Sequence, residues 1–342
     1  MKFIWHRIIK LYLQIGFFFY FKKINVFGRE NIPKNKGILF VAPHQNSLID
    51  TLLIAITNNR ETYFLSRAQA FKNSFIKALL STINMLPIYR IRDGIETIPK
   101  NHDVFEQCYE ILKNKKAILI FPEGNQNLQR RIRTLSKGFT RIVFGTLEKY
   151  PNNEIIIVPI GLNYSDPTSY ASKVNIYYGK PFTANEYWEN YDKYKSVNEL
   201  KDKVSKQLKL LTTHIEDANK HDEIVKYFNR DEFLYPIKVN EKLKNLDDLS
   251  PVKPSQKKGF NLLLLIVKIN SFFPFLIWKY VKPKIDEIEF IATFKYVIGI
   301  TAFPIFYLIQ SLIFAAIFNI TIGLCYFLLS VLSVLILTKT KN

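Results

Sequence analysis

The apolar residues of this chain form segments that differ in length and spacing. Short apolar runs in the middle of the chain predict β-strands at 37–42, 63–65, 117–121, 155–160 and 174–178. Between these runs the apolar residues recur at helical spacing, which predicts helices at 48–57, 75–83, 97–113, 137–147 and 197–218. Because strands and helices alternate, we expect residues 24–235 to form one α/β domain with a mostly parallel sheet covered by helices.

The longest apolar segment lies near the end of the chain. From Tyr296 to Thr338 no side chain is charged, and this length is about twice the ~20 residues that one membrane span needs. We therefore predict a C-terminal transmembrane helical hairpin, with two spans joined near Asn319 and with Pro304 tolerated inside the first. A buried helical hairpin in a water-soluble domain is the alternative, but an uncharged run of this length is rare outside membranes.

Lysines border this uncharged run on both sides, at Lys282, Lys284 and Lys295 before it and at Lys339 and Lys341 after it. Two spans return the chain to the side from which it started. The positive-inside rule then places both basic borders, and with them the α/β domain, on the cytoplasmic face. In a bacterium this membrane would be the inner membrane.

A weaker apolar segment precedes the hairpin. Lys268 and Pro274 interrupt residues 260–281, and a span there would put the basic flanks Lys257–Lys258 and Lys282–Lys284 on opposite sides of the membrane. This favours an interfacial helix, while re-entrant and spanning arrangements stay open. Residues 236–258 are rich in Lys, Asn, Asp, Ser and Pro, and this composition predicts a linker. The linker would join the α/β domain to a C-terminal membrane region at 259–342.

The first residues of the chain are aromatic and basic. Residues 1–23 begin like a signal peptide, but Tyr20, Phe21 and Lys22 stand where a small-residue cleavage site would lie. An N-terminal amphipathic helix on the membrane surface is therefore the better prediction. The same helix can also pack on the α/β domain, and the two arrangements are compatible.

Composition narrows the class of protein further. The 342 residues are 48% hydrophobic, which excludes a disordered chain, and the formal net charge is +19. This charge favours a polyanionic partner, and no nucleic-acid-binding motif accompanies it, so we expect membrane lipids and no nucleic acid. The two cysteines, Cys108 and Cys325, indicate neither a disulfide framework nor a metal site.

A histidine follows the first of the predicted strands directly. The segment 41–50 reads Val-Ala-Pro-His-Gln-Asn-Ser-Leu-Ile-Asp, so His44 stands in a loop and Asp50 in the next helix. A carboxylate on one imidazole nitrogen fixes the tautomer and makes the other nitrogen a better base, which can take a proton from a hydroxyl. A structural histidine near a turn explains the same spacing, so this pair alone does not define the chemistry.

Two more segments place charged residues beside apolar runs. The sequence Phe-Pro-Glu-Gly puts Glu123 and Gly124 at a strand tip, where glycine lets a ligand approach the backbone. Lys137 ends a basic stretch behind them that can hold a phosphate. Arg90 and Arg92 alternate, so in extended backbone they share one face and form a second candidate phosphate site. Ordinary surface ion pairs are the alternative in each case.

The order of these blocks is more informative than any one of them. A His–Asp block, an Arg block, Phe-Pro-Glu-Gly and an apolar Val-Pro block follow one another over residues 25–185. This order resembles the glycerolipid acyltransferase family, which includes glycerol-3-phosphate and 1-acyl-glycerol-3-phosphate acyltransferases. The Val-Pro block contains Pro159, which cannot donate a ladder hydrogen bond, so we expect an edge strand or a strand end there.

Two details differ from the common bacterial pattern of this family. His44, Asn46 and Asp50 have a spacing that looks more like the fungal-type glycerol-3-phosphate acyltransferases. Asn125 and Gln126 stand where the family usually has Thr or a small residue, followed by Ser or Arg. These differences bear on the identity of the acceptor more than on the chemistry.

The resemblance implies a reaction and a set of roles. His44 would be the general base and Asp50 its orienting partner, and the acceptor would be bound by Arg90, Arg92, Glu123, Gly124 and Lys137. The acyl group would pass from acyl-CoA or acyl carrier protein to glycerol-3-phosphate or 1-acyl-glycerol-3-phosphate, with no cofactor and no metal. Acylation of another lyso-lipid, such as a lysophospholipid or lyso-ornithine lipid, and a catalytically inactive membrane-shaping protein are the alternatives.

Overall fold

A computed structural model of the chain describes residues 2–90, 94–189, 192–248, 250–252 and 261–340. An eight-stranded mixed sheet lies at its centre, helices cover both faces, and two long apolar helices pack together near the end of the chain. This architecture confirms the predicted fold class.

The secondary structure follows the sequence pattern closely. The strands are β1 Lys23–Phe27, β2 Gly37–Val41, β3 Thr62–Arg67, β4 Met85–Ile88, β5 Ala117–Ile120, β6 Ile155–Tyr164, β7 Lys173–Tyr178 and β8 Phe182–Thr183. The helices are α1 Lys2–Tyr20, α2 Ser47–Thr57, α3 Ser74–Thr82, α4 Asn101–Lys113, α5 Gly138–Lys149, α6 Lys193–Leu211, α7 His221–Ile224, α8 Pro236–Lys242, α9 Leu262–Asn270, α10 Phe272–Val281, α11 Ile291–Ile317 and α12 Ile320–Thr340. Each predicted strand and helix of the α/β domain is present, with the largest shift at the end of α6.

The sheet has the strand order β1-β7-β6-β2-β5-β3-β4, and β8 pairs with β6. The strands β2, β3, β4 and β5 run parallel to one another, β6 is parallel to β2, and β7 is antiparallel to β6. The carboxyl ends of β2, β3 and β5 therefore meet at one edge of the sheet. Helices α1 and α2 pack on one face, and α4, α5 and α6 pack on the other.

Three strands were not predicted from the pattern. β1 is only half-buried and alternates charged or polar with apolar residues, β4 contains Pro87, and β8 has two residues. The expectation of an edge strand or strand end at Pro159 is wrong, because β6 lies inside the sheet and Pro159 stands in its middle. Its missing donor is tolerated because β6 changes there from parallel pairing with β2 to antiparallel pairing with β7.

Helix α1 presents different faces to the domain and to its surroundings. Phe17 and Tyr20 are buried against the sheet domain. An apolar stripe on another face is exposed at Ile4, Ile8, Leu11, Ile15 and Phe18. The helix therefore packs on the domain and still offers an amphipathic surface of the kind that binds a bilayer.

The two helices α11 and α12 are long and apolar enough to cross a membrane, as predicted, and the turn between them lies at Phe318 and Asn319. We call α11 and α12 the hairpin. Its two ends contact the α/β domain: Tyr296 of α11 stacks on Phe17, and Thr338 of α12 donates to the carbonyl of Phe19. This pair of helices indicates a membrane-associated chain.

Two prolines of the apolar region each leave a backbone carbonyl without its helical donor. Pro304 frees the carbonyl of Ile300, and the hydroxyl of Tyr12 donates to it from α1. Pro274 likewise frees the carbonyl of Asn270, and the amide of Gln310 donates to it over 3.3 Å. Side chains of neighbouring helices thus satisfy backbone groups that water cannot reach in a bilayer.

The segment predicted as one interfacial helix consists of two. Helices α9 and α10 meet at Asn270 and Ser271, and α10 with its following turn is bent by 87° from α9. Pro274 interrupts the helical ladder at this bend, and the Ser271 and Tyr307 hydroxyls are bonded over 2.5 Å. A single continuous helix is therefore wrong, while the placement of this segment relative to the bilayer stays a prediction.

The segment predicted as a linker is partly ordered. Helix α8 buries Val239 in a small apolar cluster with Phe228 and Phe233. The amide of Asn240 caps the end of α6 by donating to the carbonyls of Lys209 and Thr212. The first part of 236–258 therefore packs on the α/β domain, because its scattered apolar residues find this cluster.

We predict that Gly161→Ala destabilises the fold. A Cβ at Gly161 would lie 2.1 Å from the carbonyl oxygen of Leu211, so strand β6 or the end of α6 must move. Overpacking of this kind costs about 1–3 kcal/mol of unfolding free energy. Gly138→Ala is the matched control, because its Cβ would meet only the Ser136 hydroxyl at 3.7 Å. Thermal unfolding in detergent checks the pair, and equal midpoints would contradict the expectation.

Candidate active site

The sheet brings the predicted site residues of two blocks to one edge. β2 ends at Val41 and its following loop carries His44, whereas β5 ends at Ile120 and its following turn carries Glu123. The two strands are adjacent and parallel, so the loops lie side by side. We call residues 42–46 the histidine loop and residues 121–133 the glutamate turn.

His44 and Asp50 form a direct pair. The Nδ1 atom of His44 lies 2.9 Å from the Oδ2 atom of Asp50, whose side chain is fully buried. An ionised carboxylate can only accept, so the imidazole donates through Nδ1 and its lone pair is on Nε2. The bend between the loop and α2, with Ser47 at φ 42, turns Asp50 back towards the imidazole.

The carboxylate of Asp50 receives three further donors. The backbone N–H groups of Gln45 and Asn46 donate to Oδ2 over 2.9 and 2.7 Å. The hydroxyl of Tyr164, at the end of β6, donates to Oδ1 over 2.6 Å. Burial, together with the neighbouring Asp50 charge, raises the pKa of Tyr164, so this phenol keeps its proton and remains a donor. Four donors therefore offset the cost of burying this charge.

The imidazole ring of His44 stacks on an aromatic ring and is partly exposed. It stacks on Phe121 with ring centroids 3.9 Å apart and an interplanar angle of 11°. The His44 side chain is 16% exposed, and no described residue is hydrogen-bonded to its Nε2 atom. The one ring nitrogen with basic character is thus available to a substrate proton.

The carboxylate of Glu123 is bonded to other groups of the protein and does not face the open space beside His44. Its side chain is 2% exposed, and Arg133 donates to it twice, through Nη2 over 2.6 Å and through its backbone N–H over 2.9 Å. The backbone N–H of His44 donates to Glu123 as well, over 3.3 Å. Both oxygens are therefore engaged, and Glu123 fastens the glutamate turn to the histidine loop.

A second set of bonds holds the same two loops together. The backbone N–H of Asn127 donates to the carbonyl of His44 over 2.9 Å, and the amide of Gln45 donates to the carbonyl of Gln129 over 3.4 Å. The Asn46 amide donates to the carbonyl of Pro167 over 2.6 Å in the loop after β6. The histidine loop is thus bonded on both sides.

Arg90 and Lys137, the two predicted phosphate-binding cations that the structure describes, contact different partners. Arg90 donates to the carbonyl of Gly124 over 3.0 Å, beside the glutamate turn. Lys137 is exposed at the start of α5, and its ammonium lies 5.5 Å from the centre of the Tyr194 ring. Arg92 lies outside the described residues. Gly124 has a positive φ of 76°, and a Cβ there would meet no atom of the described residues within 4 Å.

Arg130, the first cation of the basic stretch, is buried rather than solvated. Its guanidinium lies 3.9 Å from the centre of the Phe233 ring and donates to the carbonyl of Ser165 over 3.3 Å. Burial lowers its pKa to about 10, although Asp166 opposes this shift. The basic stretch after Gly124 therefore does not act as one phosphate-binding site, because Arg130 is bonded to the loop after β6.

Several residues of the site escaped sequence reasoning. Tyr164 and Phe121 end apolar strands, where the pattern marks them as core residues. Arg133 was one member of a basic stretch, and its pairing with Glu123 depends on the path of the turn. Their roles depend on contacts with residues that are distant in the sequence, and such contacts cannot be predicted from local spacing.

The part of the chain that contains this site is similar to known acyltransferases. Residues 23–163 match the family model described as Acyltransferase. Among curated relatives, glycerol-3-phosphate O-acyltransferase 1 of Saccharomyces cerevisiae is 29% identical over 33% of this chain and 16% of its own length. The chloroplastic 1-acyl-sn-glycerol-3-phosphate acyltransferase LPAT1 of Arabidopsis thaliana is 26% identical over 46% of this chain and 40% of its own.

A bacterial relative and a solved structure complete the comparison. The probable 1-acyl-sn-glycerol-3-phosphate acyltransferase of Mycoplasma pneumoniae is 25% identical over 40% of this chain and 52% of its own length. The chain thus spans about half or less of these curated relatives. The crystal structure of the 1-acyl-sn-glycerophosphate acyltransferase PlsC of Thermotoga maritima has a TM-score of 0.44 and 20% identity, and covers 60% of this chain and 79% of that one.

We predict that Arg133→Ala loosens the glutamate turn. The substitution leaves the carboxylate of Glu123 buried without its charged donor, and a hydrogen bond to a charged group is worth roughly 1.5–3 kcal/mol. The midpoint of thermal unfolding should fall accordingly. Arg29→Ala, at an exposed arginine beyond β1, is the control and should leave the midpoint unchanged. Identical midpoints for the two variants would show that the pair with Glu123 is not stabilising.

Proposed function

We propose that this chain, whose residues 23–163 match the acyltransferase family, is a membrane-bound O-acyltransferase of phospholipid synthesis. The observation that carries the proposal is the 2.9 Å contact between His44 and the buried Asp50. This contact leaves a basic ring nitrogen facing open space. The two apolar helices support a membrane location for the same chain, and the substrates and products of such a reaction reside at membranes.

The proposed reaction is a direct acyl transfer with His44 as general base. Nε2 of His44 takes the proton of the acceptor hydroxyl while the oxygen attacks the carbonyl carbon of a thioester. The tetrahedral intermediate expels the thiolate, which receives the proton from the imidazolium. Asp50 keeps the proton on Nδ1 and stabilises the transient positive charge. The reaction needs no cofactor, metal or covalent acyl-enzyme.

The acceptor is proposed to bind beside Gly124. Arg90 bonds the carbonyl of Gly124, and its positive charge would attract a phosphate to this place. Lys137, at the start of α5, would add positive charge, and Arg92 stays a candidate from the sequence alone because it lies outside the described residues. A Cβ placed at Gly124 would meet no described atom within 4 Å, which supports room for the acceptor there. We assign Glu123 a different part from the one the sequence suggested: it positions the histidine loop and does not bind the acceptor.

We propose glycerol-3-phosphate or 1-acyl-glycerol-3-phosphate as acceptor, with acyl-CoA or acyl carrier protein as donor. The names of the relatives support this choice, because they describe enzymes for these two acceptors. The basic borders of the hairpin support a domain on the cytoplasmic face, where such donors occur. Anionic lipid headgroups would hold the strongly basic domain against the bilayer.

We predict that His44→Ala abolishes acyl transfer without unfolding the protein. Loss of a general base typically lowers the rate by about 10²–10⁴. The assay is transfer of a labelled acyl group in vesicles containing the protein, with acyl-CoA or acyl carrier protein and a panel of glycerol-3-phosphate, 1-acyl-glycerol-3-phosphate and lyso-lipids. Asp50→Asn should be nearly as damaging, because the imidazole then loses its preferred tautomer.

His102→Ala is the matched control for this experiment. His102 is exposed on α4, and no hydrogen bond or ion pair joins it to the described residues of the histidine loop or the glutamate turn, so its removal should leave the rate unchanged. More than half of the wild-type rate in His44→Ala would refute the assignment. A wild-type protein that transfers no acyl group to any acceptor would favour the membrane-shaping alternative.

We predict that Arg90→Ala weakens acceptor binding more than it slows the chemical step. A charged donor lost from a phosphate site should raise the KM for the phosphorylated acceptor by about 10-fold, since such a bond is worth roughly 1.5–3 kcal/mol. Arg29→Ala is the control, because β1 runs opposite to β2 and Arg29 lies at the other edge of the sheet. A raised KM for the acyl donor alone would contradict this role.

A further inference from the structure

The base of the hairpin reaches the same two loops that hold His44. We define the hairpin base as residues 287–295, the segment that leads into α11 and its first turn. Glu287 lies before this helix and Lys295 within it. Each makes a polar contact with the α/β domain, and the two contacts lie on different sides of the histidine loop.

The first contact runs through Gln126 in the glutamate turn. The amide of Gln126 donates to the carboxylate of Glu287, and its carbonyl accepts from Arg67 at the end of β3 over 2.5 Å. Gln126 is only 8% exposed, so this side chain is fixed by these partners. The next residue, Asn127, donates its backbone N–H to the carbonyl of His44. Two hydrogen bonds, made by the adjacent residues Gln126 and Asn127, therefore connect Glu287 to the backbone of His44.

The second contact runs through the loop after β6. The ammonium of Lys295 donates to the carbonyl of Thr168 over 2.8 Å. The neighbouring carbonyl of Pro167 accepts from the amide of Asn46, whose backbone N–H donates to Asp50. Lys295 is thus linked to the carboxylate that orients His44.

These contacts differ from those of a simple anchor. An anchor needs only apolar packing, which α11 makes through Tyr296 and Ala292. Glu287 and Lys295 are instead bonded to loops whose other partners are parts of the His–Asp site. Gln126 is also one of the two positions that depart from the family pattern, and the structure shows its side chain engaged with the hairpin base.

We propose that Glu287 and Lys295 are positioning residues of the active site, and that the rate of acyl transfer depends on how the hairpin is seated against the domain. This inference rests on the proposed function. The hairpin base would hold the glutamate turn and the loop after β6 at the separation that keeps His44 against Asp50. A displacement of about 1 Å at a reacting group can cost up to about 10²-fold in rate.

The first test compares Glu287→Ala with Glu289→Ala in vesicles. Both variants remove one carboxylate from the hairpin base, and no hydrogen bond or ion pair joins Glu289 to another described residue. We expect Glu287→Ala to lower kcat by about 10-fold and to change the KM for the acceptor by less than about 2-fold. Glu289→Ala should behave as wild type. Glu287→Gln should recover most of kcat, because its amide oxygen can still accept from Gln126.

The second test addresses the other contact with Lys295→Met and the control Lys279→Met. Lys279 is exposed on α10, so both variants remove one lysine charge near the membrane. Lys295→Met should lower kcat to a similar extent and Lys279→Met should not. Thermal unfolding in the same detergent identifies any variant that fails to fold, and the two sites provide independent tests.

Hydrogen–deuterium exchange supplies a readout that does not depend on activity. Glu287→Ala should speed exchange in peptides covering 121–133 and 42–46, whereas Glu289→Ala should not. Unchanged exchange and an unchanged kcat in Glu287→Ala and Lys295→Met would overturn the inference. If wild-type protein transfers no acyl group, the proposed function fails, and the exchange data alone then decide whether the hairpin base positions the loops.

Discussion

The buried carboxylate of Asp50 is the constraint on which the rest of this site depends. Its side chain is fully buried, and an isolated charge there would be prohibitively costly. Two backbone N–H groups of the histidine loop, the phenol of Tyr164 and the imidazole of His44 all donate to it. The loop must therefore fold back over the start of α2, and this fold places the imidazole at the sheet edge.

The glutamate turn fixes the other side of the imidazole. Glu123 and Arg133 form a nearly buried pair that also bonds the backbone of His44, and Phe121 stacks on the ring. A carboxylate that could have been a ligand-binding group is thus used to hold a loop. The orientation of the His44 imidazole depends on partners that follow β2 and β5 and on one at the end of β6. These partners meet because the three strands are parallel and end at the same edge of the sheet.

The apolar helices are joined to the domain by polar as well as apolar contacts. Tyr12 of α1 satisfies the carbonyl that Pro304 frees in α11, and Glu287 and Lys295 bond the loops around the site. In a bilayer the Tyr12 hydroxyl replaces the water that the freed carbonyl would otherwise need. Polar groups as well as apolar packing therefore join the apolar helices to the rest of the chain.

The sequence by itself determined the alternation of strands and helices, the two long apolar helices and the two blocks that meet at His44 and Glu123, because these depend on local periodicity and chain order. It did not determine that Pro159 lies inside the sheet, that α9 and α10 are bent apart, or that Glu123 is engaged by Arg133. Tyr164 and Glu287 lie 114 and 161 residues from the groups they bond, Asp50 and Gln126. Only the folded chain brings them together, since hydrogen-bond partners are chosen by distance in space and not by spacing in sequence.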